Sequence, residues 1–469
     1  MWTVQEVVLP QTTKVEVRCG ESSISWLVLW LASDVLSGIK YRWNDWDSGV
    51  RLLRYLGQML TRYRIPEARE MMDKLPGLDS DMTLSYLMVY SRSKLATDPK
   101  DKVYALYGLL NYFDVDLPKA DYQKTLEEIY TEMTTSAIKY DKNLFVLYAA
   151  SSDSRRPGLP SWVPDWSDRG WDEGDPRYPV IRSRFVASGN SEAVYRFSSS
   201  DARELMVQGK IIDTVIYRAG SYALAQPPDI SELFKRDEPG GIVVSDRLAK
   251  MHHIYRTMRE WVEVAYWTDS YPTGELVDQA LKTMLLNDFP RAMNAPETSE
   301  FPDWLALMRA SEAELTARAT PYAVRLGAVS VQRVRLRTLF GALLSSSRGR
   351  DMTEQLQSQL QDLPIELRTI LAMASRGGGW GYHKGALAMS AKKALFRTEK
   401  GYFGLAPDMI PDALQSGDVI GLVAGQSMPV VLRREGDGFR FVSHCYVHGM
   451  MYGELWEGGD EQIKELKLV

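Results

Sequence analysis

Along the first 150 positions, apolar residues recur mostly at the three- and four-residue spacing of helices packed on one side. The opening stretch MWTVQEVVLP carries Val4, Val7 and Val8 on one side and stops at Pro10. It predicts a short helix whose apolar side packs on helices within 22–65. KVEVRCG alternates instead, with Val15, Val17 and Cys19 on one face of a strand. SSISWLVLWLASDVL returns to helical spacing, with Ser22 or Ser23 placed as its cap. SGVRLLRYLGQMLTRYR and TLSYLMVYSRSKLAT read as two further helices. In DPKDKVYALYGLL, Asp98-Pro99 ends one element and Asp101 is placed to cap the next. Val103, Leu106, Tyr107 and Leu110 supply its apolar face, and Asp101 and Lys102 read as an exposed ion pair. DYQKTLEEIYTEMTTSAIKY is a helix with a stripe of Leu126, Ile129, Met133 and Ala137, and with acidic residues in its first turns, where they favour the helix dipole. LFVLYAAS reads either as a strand or as the tail of that helical hairpin.

The pattern then changes. SRRPGLPSWVPDWSDRGWDEGDPRYP holds five prolines among Gly and Asp, so no long helix fits there. Trp162 and Trp166 are expected to fold it onto a neighbouring surface. EAVYRF and ELMVQGKIIDTVIYRAG read as strands. SDRLAKMHHIYRTMREWVEVAYW is a long helix, followed by helices near 274–288, 302–317 and 351–374, and SRGGGWGYHKGA reads as a Gly-rich loop. KALFRTEKGYFGLAP, DVIGLVAG and PVVLRREGDGFRFVSHCYVHG read as short antiparallel strands, with EGDGF as a hairpin turn. Neither β stretch has enough strands to bury two faces, so the two are expected to share one sheet or barrel. The expected organisation is a helical region over 1–153, a Trp/Pro-rich connection over 154–180, a β segment over 181–245, a helical insertion over 246–375, and an antiparallel β region over 376–469 that packs with 181–245. The fold class is α+β.

Composition narrows the function classes. The chain has 469 residues and a net charge of −5, which disfavours a nonspecific nucleic-acid face. Cys19 and Cys445 are its two cysteines; neither a disulfide framework nor a structural zinc site fits them. SWLVLWLASDVL is too short and too broken by Asp34 to span a bilayer. No basic, long apolar leader opens the chain. These features predict a cytoplasmic protein that binds neither nucleic acid nor membrane.

Four stretches are candidates for chemistry. GGGWG could cradle a phosphate at a helix start, although it lacks the GxxxxGK[ST] order; a plain loop is the alternative. His252 and His253 are adjacent on a helix and point apart. His444 and His448 would share a strand face about 13 Å apart, too far for one metal ion. The charges of DPKDK fit a cap and an ion pair as well as they fit catalysis. In WTVQEV, Trp2 and Glu6 lie four apart on one helix face, the arrangement of an aromatic wall beside a ribose-binding carboxylate; a half-buried Trp and a solvated Glu would look the same.

Taken together, these stretches resemble the fungal heterokaryon-incompatibility (HET) family. WTVQEVVLP is similar to the Arg-x-Trp-Thr-x-Gln-Glu segment that closes the HET domain. ATDPKDKVYALYGLL, LPSWVPDWS and RTEKGYFGLAP through PVVLRREGDGFRFVSHCYVHGMMYGE resemble later family segments in the same order. The family's Leu-Ser-Tyr-x-Trp-Gly strand and Cys-Ile-Asn-Gln segment have no counterpart, and the motif Arg is absent. The resemblance therefore implies an N-terminally truncated HET domain, a helical remnant of a TIR-like, flavodoxin-like fold. TIR enzymes cleave NAD through a Trp-Cys-x-x-Glu motif. By that likeness Glu6 would be the catalytic carboxylate, Trp2 would line the substrate site, NAD would be a substrate rather than a cofactor, and no metal is implied. The expected function is nonself recognition through an unknown protein partner, without activity in this chain. The alternatives are NAD glycohydrolysis or other small-molecule chemistry, and self-association is left open.

Overall fold

A computed structural model describes residues 16–25, 28–29, 84–92, 94–112, 114–150, 156–168, 185–198, 203–223, 246–286, 298–319, 361, 365–375, 378–408, 413–457 and 462–469. The helices expected over 1–10 and 48–64, and with them Trp2 and Glu6, lie outside these residues. In chain order the elements are β1 (Glu16–Cys19), β2 (Ser22–Ser25), α1 (Leu84–Ser91), α2 (Asp101–Tyr104), α3 (Tyr107–Tyr112), α4 (Leu126–Asp141), α5 (Leu147–Ala150), β3 (Tyr195–Phe197) and β4 (Leu205–Ser221). There follow α6 (Asp246–Ala265), α7 (Val277–Leu285), α8 (Phe301–Met308), α9 (Ile365–Ala374), α10 (Trp380–Ser390), β5 (Lys393–Thr398), β6 (Phe403–Pro407), β7 (Val419–Val423), β8 (Val430–Glu435), β9 (Gly438–His444), β10 (Tyr446–Val447), α11 (Glu454–Glu457) and β11 (Lys464–Leu468). The protein is thus mixed helix and sheet, with strands dominating its C-terminal part. No helix among the described residues is long and apolar enough to cross a membrane.

The chain forms two compact units. The first takes its described residues from Met1–Ile212, Asp418–His444 and Met450–Val469. Here β1 and β2 form a hairpin about Gly20, which takes a φ of 60°. Ser22 and Ser23 are therefore strand residues and not helix caps; the hydroxyl of Ser25 instead accepts the Val28 amide. α4 starts on a capping box, with Thr125 and Glu128 satisfying each other's backbone amides. At its other end the Asp141 carboxylate accepts the amides of Leu84 and Ser85, capping α1 from 56 and 57 residues away. Ile129, Met133 and Ala137 are buried as the periodicity requires. LFVLYAAS resolves as the short helix α5.

Two expectations about polar residues fail in this unit. Asp101 makes no cap: it lies one residue inside α2, after Lys100, and accepts a hydrogen bond from the Tyr122 hydroxyl. Lys102 is buried, not exposed, because its ammonium donates to the carbonyls of Arg92 and Lys94 and so secures the chain after α1. The turn-rich segment 156–168 is built around its indoles. Trp162 and Trp166 are fully buried and donate to the Arg203 carbonyl and the Thr134 hydroxyl. The buried Arg92 guanidinium binds the carbonyls of Ala149, Asp165 and Asp168. Ser161 bonds Val469 through its amide and Phe441 through its hydroxyl, which fastens the segment to strands as well as helices.

The β part of this unit closes on itself. The first half of β4 pairs with β11, β11 with β9, β9 with β8, β8 with β7, and β7 again with β4, a five-membered ring of strands. EGDGF makes the β8–β9 turn, with Gly436 at a φ of 59° in the first central position. β11 runs parallel to β9, an exception to the expected antiparallel pattern. Leu205, Val207, Val430, Leu432, Phe441 and Leu468 line a core continuous with the helices and both Trp162 and Trp166.

The second unit takes its described residues from Asp213–Gly417 and Cys445–Gly449. The second half of β4 pairs with β5, β5 with β6 and β6 with β10, all antiparallel. The helices α6 to α10 pack together beside them, α6 against α9 and α8. Buried Arg397 donates to the carbonyls of Val264 and Ala265, neutralising the C-terminal end of α6.

Candidate binding cleft

The Gly-rich stretch is the key to the helical unit. It is not a loop throughout: Trp380 onward is helix α10, and Gly379 enters it with a φ of 66°. A Cβ on Gly379 would stand 2.5 Å from the Cβ of Trp304, and one on Gly381 would stand 2.8 Å from a Glu300 carboxylate oxygen. Glycine weakens helices, which is why such a stretch reads as a loop in the sequence. Here their missing side chains let α10 approach α8 and the residues before it. Two of the free amides at the α10 N-terminus are also taken. Glu300 Oε2 accepts Gly381 N at 2.6 Å and Tyr382 N at 3.3 Å. A carboxylate of the chain itself fills the position where a helix start would hold a phosphate.

This joint fixes two helices and leaves a cleft between them. The hydroxyl of buried Tyr382 donates to the Lys282 carbonyl, holding the end of α7. Trp304, on α8, donates from its indole to His383 Nδ1 at 3.3 Å. The neutral His383 imidazole therefore carries its proton on Nε2, which finds no acceptor. Full burial pushes its pKa down to about 3. Between the walls lies an open-sided cleft of about 530 Å³, lined by Leu276, Asp278, Gln279 and Lys282 on one side and Ser299, Phe301, Pro302, Leu305, Ala306 and Arg309 on the other. Phe301 and Leu305 form a buried floor. Arg309 lies over Tyr266, its guanidinium carbon 3.7 Å from the centre of the ring. Among the described residues, neither Lys282 nor Arg309 has a carboxylate within ion-pair distance. Leu276 remains 75% exposed at the N-cap of α7, where it makes no side-chain cap.

None of these lining residues was a sequence candidate. One signal was present: an apolar residue just before an amphipathic helix, where Ser, Thr, Asp or Asn is favoured. The sequence candidates that the structure describes are held by their own neighbours. His252 faces Glu366 at 4.0 Å, its pKa lowered by burial, while His253 is exposed. The strand expected to carry both His444 and His448 breaks at Cys445, since β9 ends at His444 and β10 starts at Tyr446. His444 is buried, stacked on Tyr148 at 3.7 Å and bonded to Gln426. His448 pairs with Glu275 at 2.8 Å. Burial raises the pKa of the Cys445 thiol, and Cys19 is exposed. No group of three or more His, Cys, Asp or Glu residues among the described residues is arranged to hold a metal ion.

By its architecture the protein combines a small closed ring of strands with a helical unit that carries a cleft. Residues 357–466 match the Het-6 beta-barrel domain family, which links the chain to heterokaryon-incompatibility proteins. The matched residues hold β5 to β10 and the start of β11, whereas β4, which closes the ring, lies outside them. No curated protein and no solved structure matches the chain.

Proposed function

We propose that the chain is a cytoplasmic heterokaryon-incompatibility protein of fungal nonself recognition that binds a protein partner and does not itself cleave NAD. The link to the family rests on the match over 357–466. The binding half rests on one observation: the helix start suited to a phosphate is filled by Glu300, while the cleft beside it presents an apolar floor and two cations without carboxylate partners among the described residues. The experiment is nicotinamide release from NAD by the purified chain and by Glu6→Ala. Neither is expected to exceed background. Release by the wild type that is lost in Glu6→Ala would replace this reading with a TIR-related glycohydrolase, in which Glu6 acts as the carboxylate and Trp2 as its wall.

A further inference from the structure

The cleft between α7 and α8 has properties that select its occupant. Among the described residues it is open along one side, a shape that encloses less of a small molecule's surface than tight small-ligand sites do. An amphipathic helix needs only one face covered, and it meets a groove through apolar anchors at i, i+3, i+4 and i+7. The walls suit that geometry: α7 has nine residues and α8 has eight, so each is roughly 12–14 Å long, about two turns of an occupant. Pro302 and Ala306, exposed on α8 beside the buried Phe301 and Leu305, would receive the anchors, and Leu276 supplies a lip of apolar surface that the fold leaves uncovered.

The charges set the sign. Lys282 and Arg309 stand on opposite walls, one from α7 and one just after α8, and among the described lining residues Asp278 is the one acidic residue. Among these described residues the cations therefore outnumber the carboxylates by two to one. Stacking on Tyr266 holds the Arg309 guanidinium ready for an acidic group, lowering the ordering cost of binding. Tyr382 and Glu300 fix the walls on either side, so the surface is formed before any partner arrives.

We infer that this cleft receives an acidic amphipathic helix of a partner polypeptide, with apolar anchors over Pro302, Ala306 and Leu276 and carboxylates meeting Lys282 and Arg309. The inference rests on the binding reading proposed above and names the partner's chemistry.

The test uses the full chain and a fluorescent helical peptide with Leu at i, i+3, i+4 and i+7 and Glu elsewhere, against the same peptide with Lys in place of Glu. Anisotropy should show the acidic peptide binding and the basic one binding at least about tenfold more weakly, with the acidic complex weakening as salt rises. Lys282→Glu with Arg309→Glu should weaken the acidic peptide about tenfold and strengthen the basic one, a reversal that misfolding cannot produce. Leu276→Asp, at an exposed position, should weaken both. Arg440→Glu, at an exposed pair with Glu435 in the other unit, should change neither. Equal binding of the two peptides, or binding indifferent to the charge reversal, overturns the inference. Nicotinamide release is scored separately. NAD cleavage would sink the proposed function whatever the peptide does, and peptide indifference without NAD cleavage would sink only this inference.

Discussion

The segments 156–168 and 378–381 both interrupt regular structure with turn residues, and they are ordered by opposite means. The first is held by size. Trp162 and Trp166 are fully buried, and Arg92 reaches across to bind the backbone around them. The second is held by absence: Gly379 and Gly381 sit where a side chain would collide with Trp304 or Glu300. In one case the turn brings packing area to the core; in the other it removes atoms so that helices can meet. Turn-rich composition marks a break in an element and says nothing of mobility.

The largest effect should come from removing the area. Trp166→Ala should destabilise the protein by about 3–5 kcal/mol, because an indole cavity would open in the core and Thr134 would lose its donor. Chemical denaturation measures it, and a change below about 1 kcal/mol would mean that the segment is not part of the cooperative core. Adding one atom on the other side of the comparison should also be costly. Gly379→Ala combines a positive φ with a 2.5 Å contact and should cost about 2–4 kcal/mol, while Gly274→Ala, at a positive φ in open space, should cost only about 1 kcal/mol. Similar losses at the two glycines would show that φ alone, and not the close approach of α10, requires Gly379.

The third effect is a pH dependence confined to the glycine side. His383 ordinarily titrates near 6.5 and is pushed down to about 3 in the folded protein. Between those values the unfolded chain binds the extra proton, so folded stability is lost as pH falls from 6.5 toward 3. His383 should account for about 1.6 kcal/mol of loss between pH 6.5 and 5. The difference in unfolding free energy between the wild type and His383→Gln, followed over that range, reads it directly. Parallel curves would show that the imidazole is not buried as a neutral ring.

How far the sequence reached follows the same physics. Helix α4 was legible because its acidic first turn and apolar stripe agree locally. The strand hairpins were legible from alternation and from EGDGF. What pattern could not carry were contacts set by distant residues. Lys102 reads as a surface charge until the carbonyls of Arg92 and Lys94 are placed around it. Ser22 and Ser23 cap a helix on paper, but β1 pairs with them first. The start of α10 was hidden because glycine signals a break unless a partner helix needs the room. The cleft was least legible of all: Leu276, Lys282 and Arg309 are ordinary in sequence, and only the packing of α7 against its neighbours sets them around one space.

Hydrogen–deuterium exchange of the full chain, with the acidic peptide and separately with NAD, tests the central claim most directly. The account predicts that the peptide slows exchange in Val277–Leu285 and Phe301–Met308, and that NAD changes neither 378–390 nor 1–10. Protection of 1–10 or 378–390 by NAD, with α7 and α8 unchanged by the peptide, would contradict it.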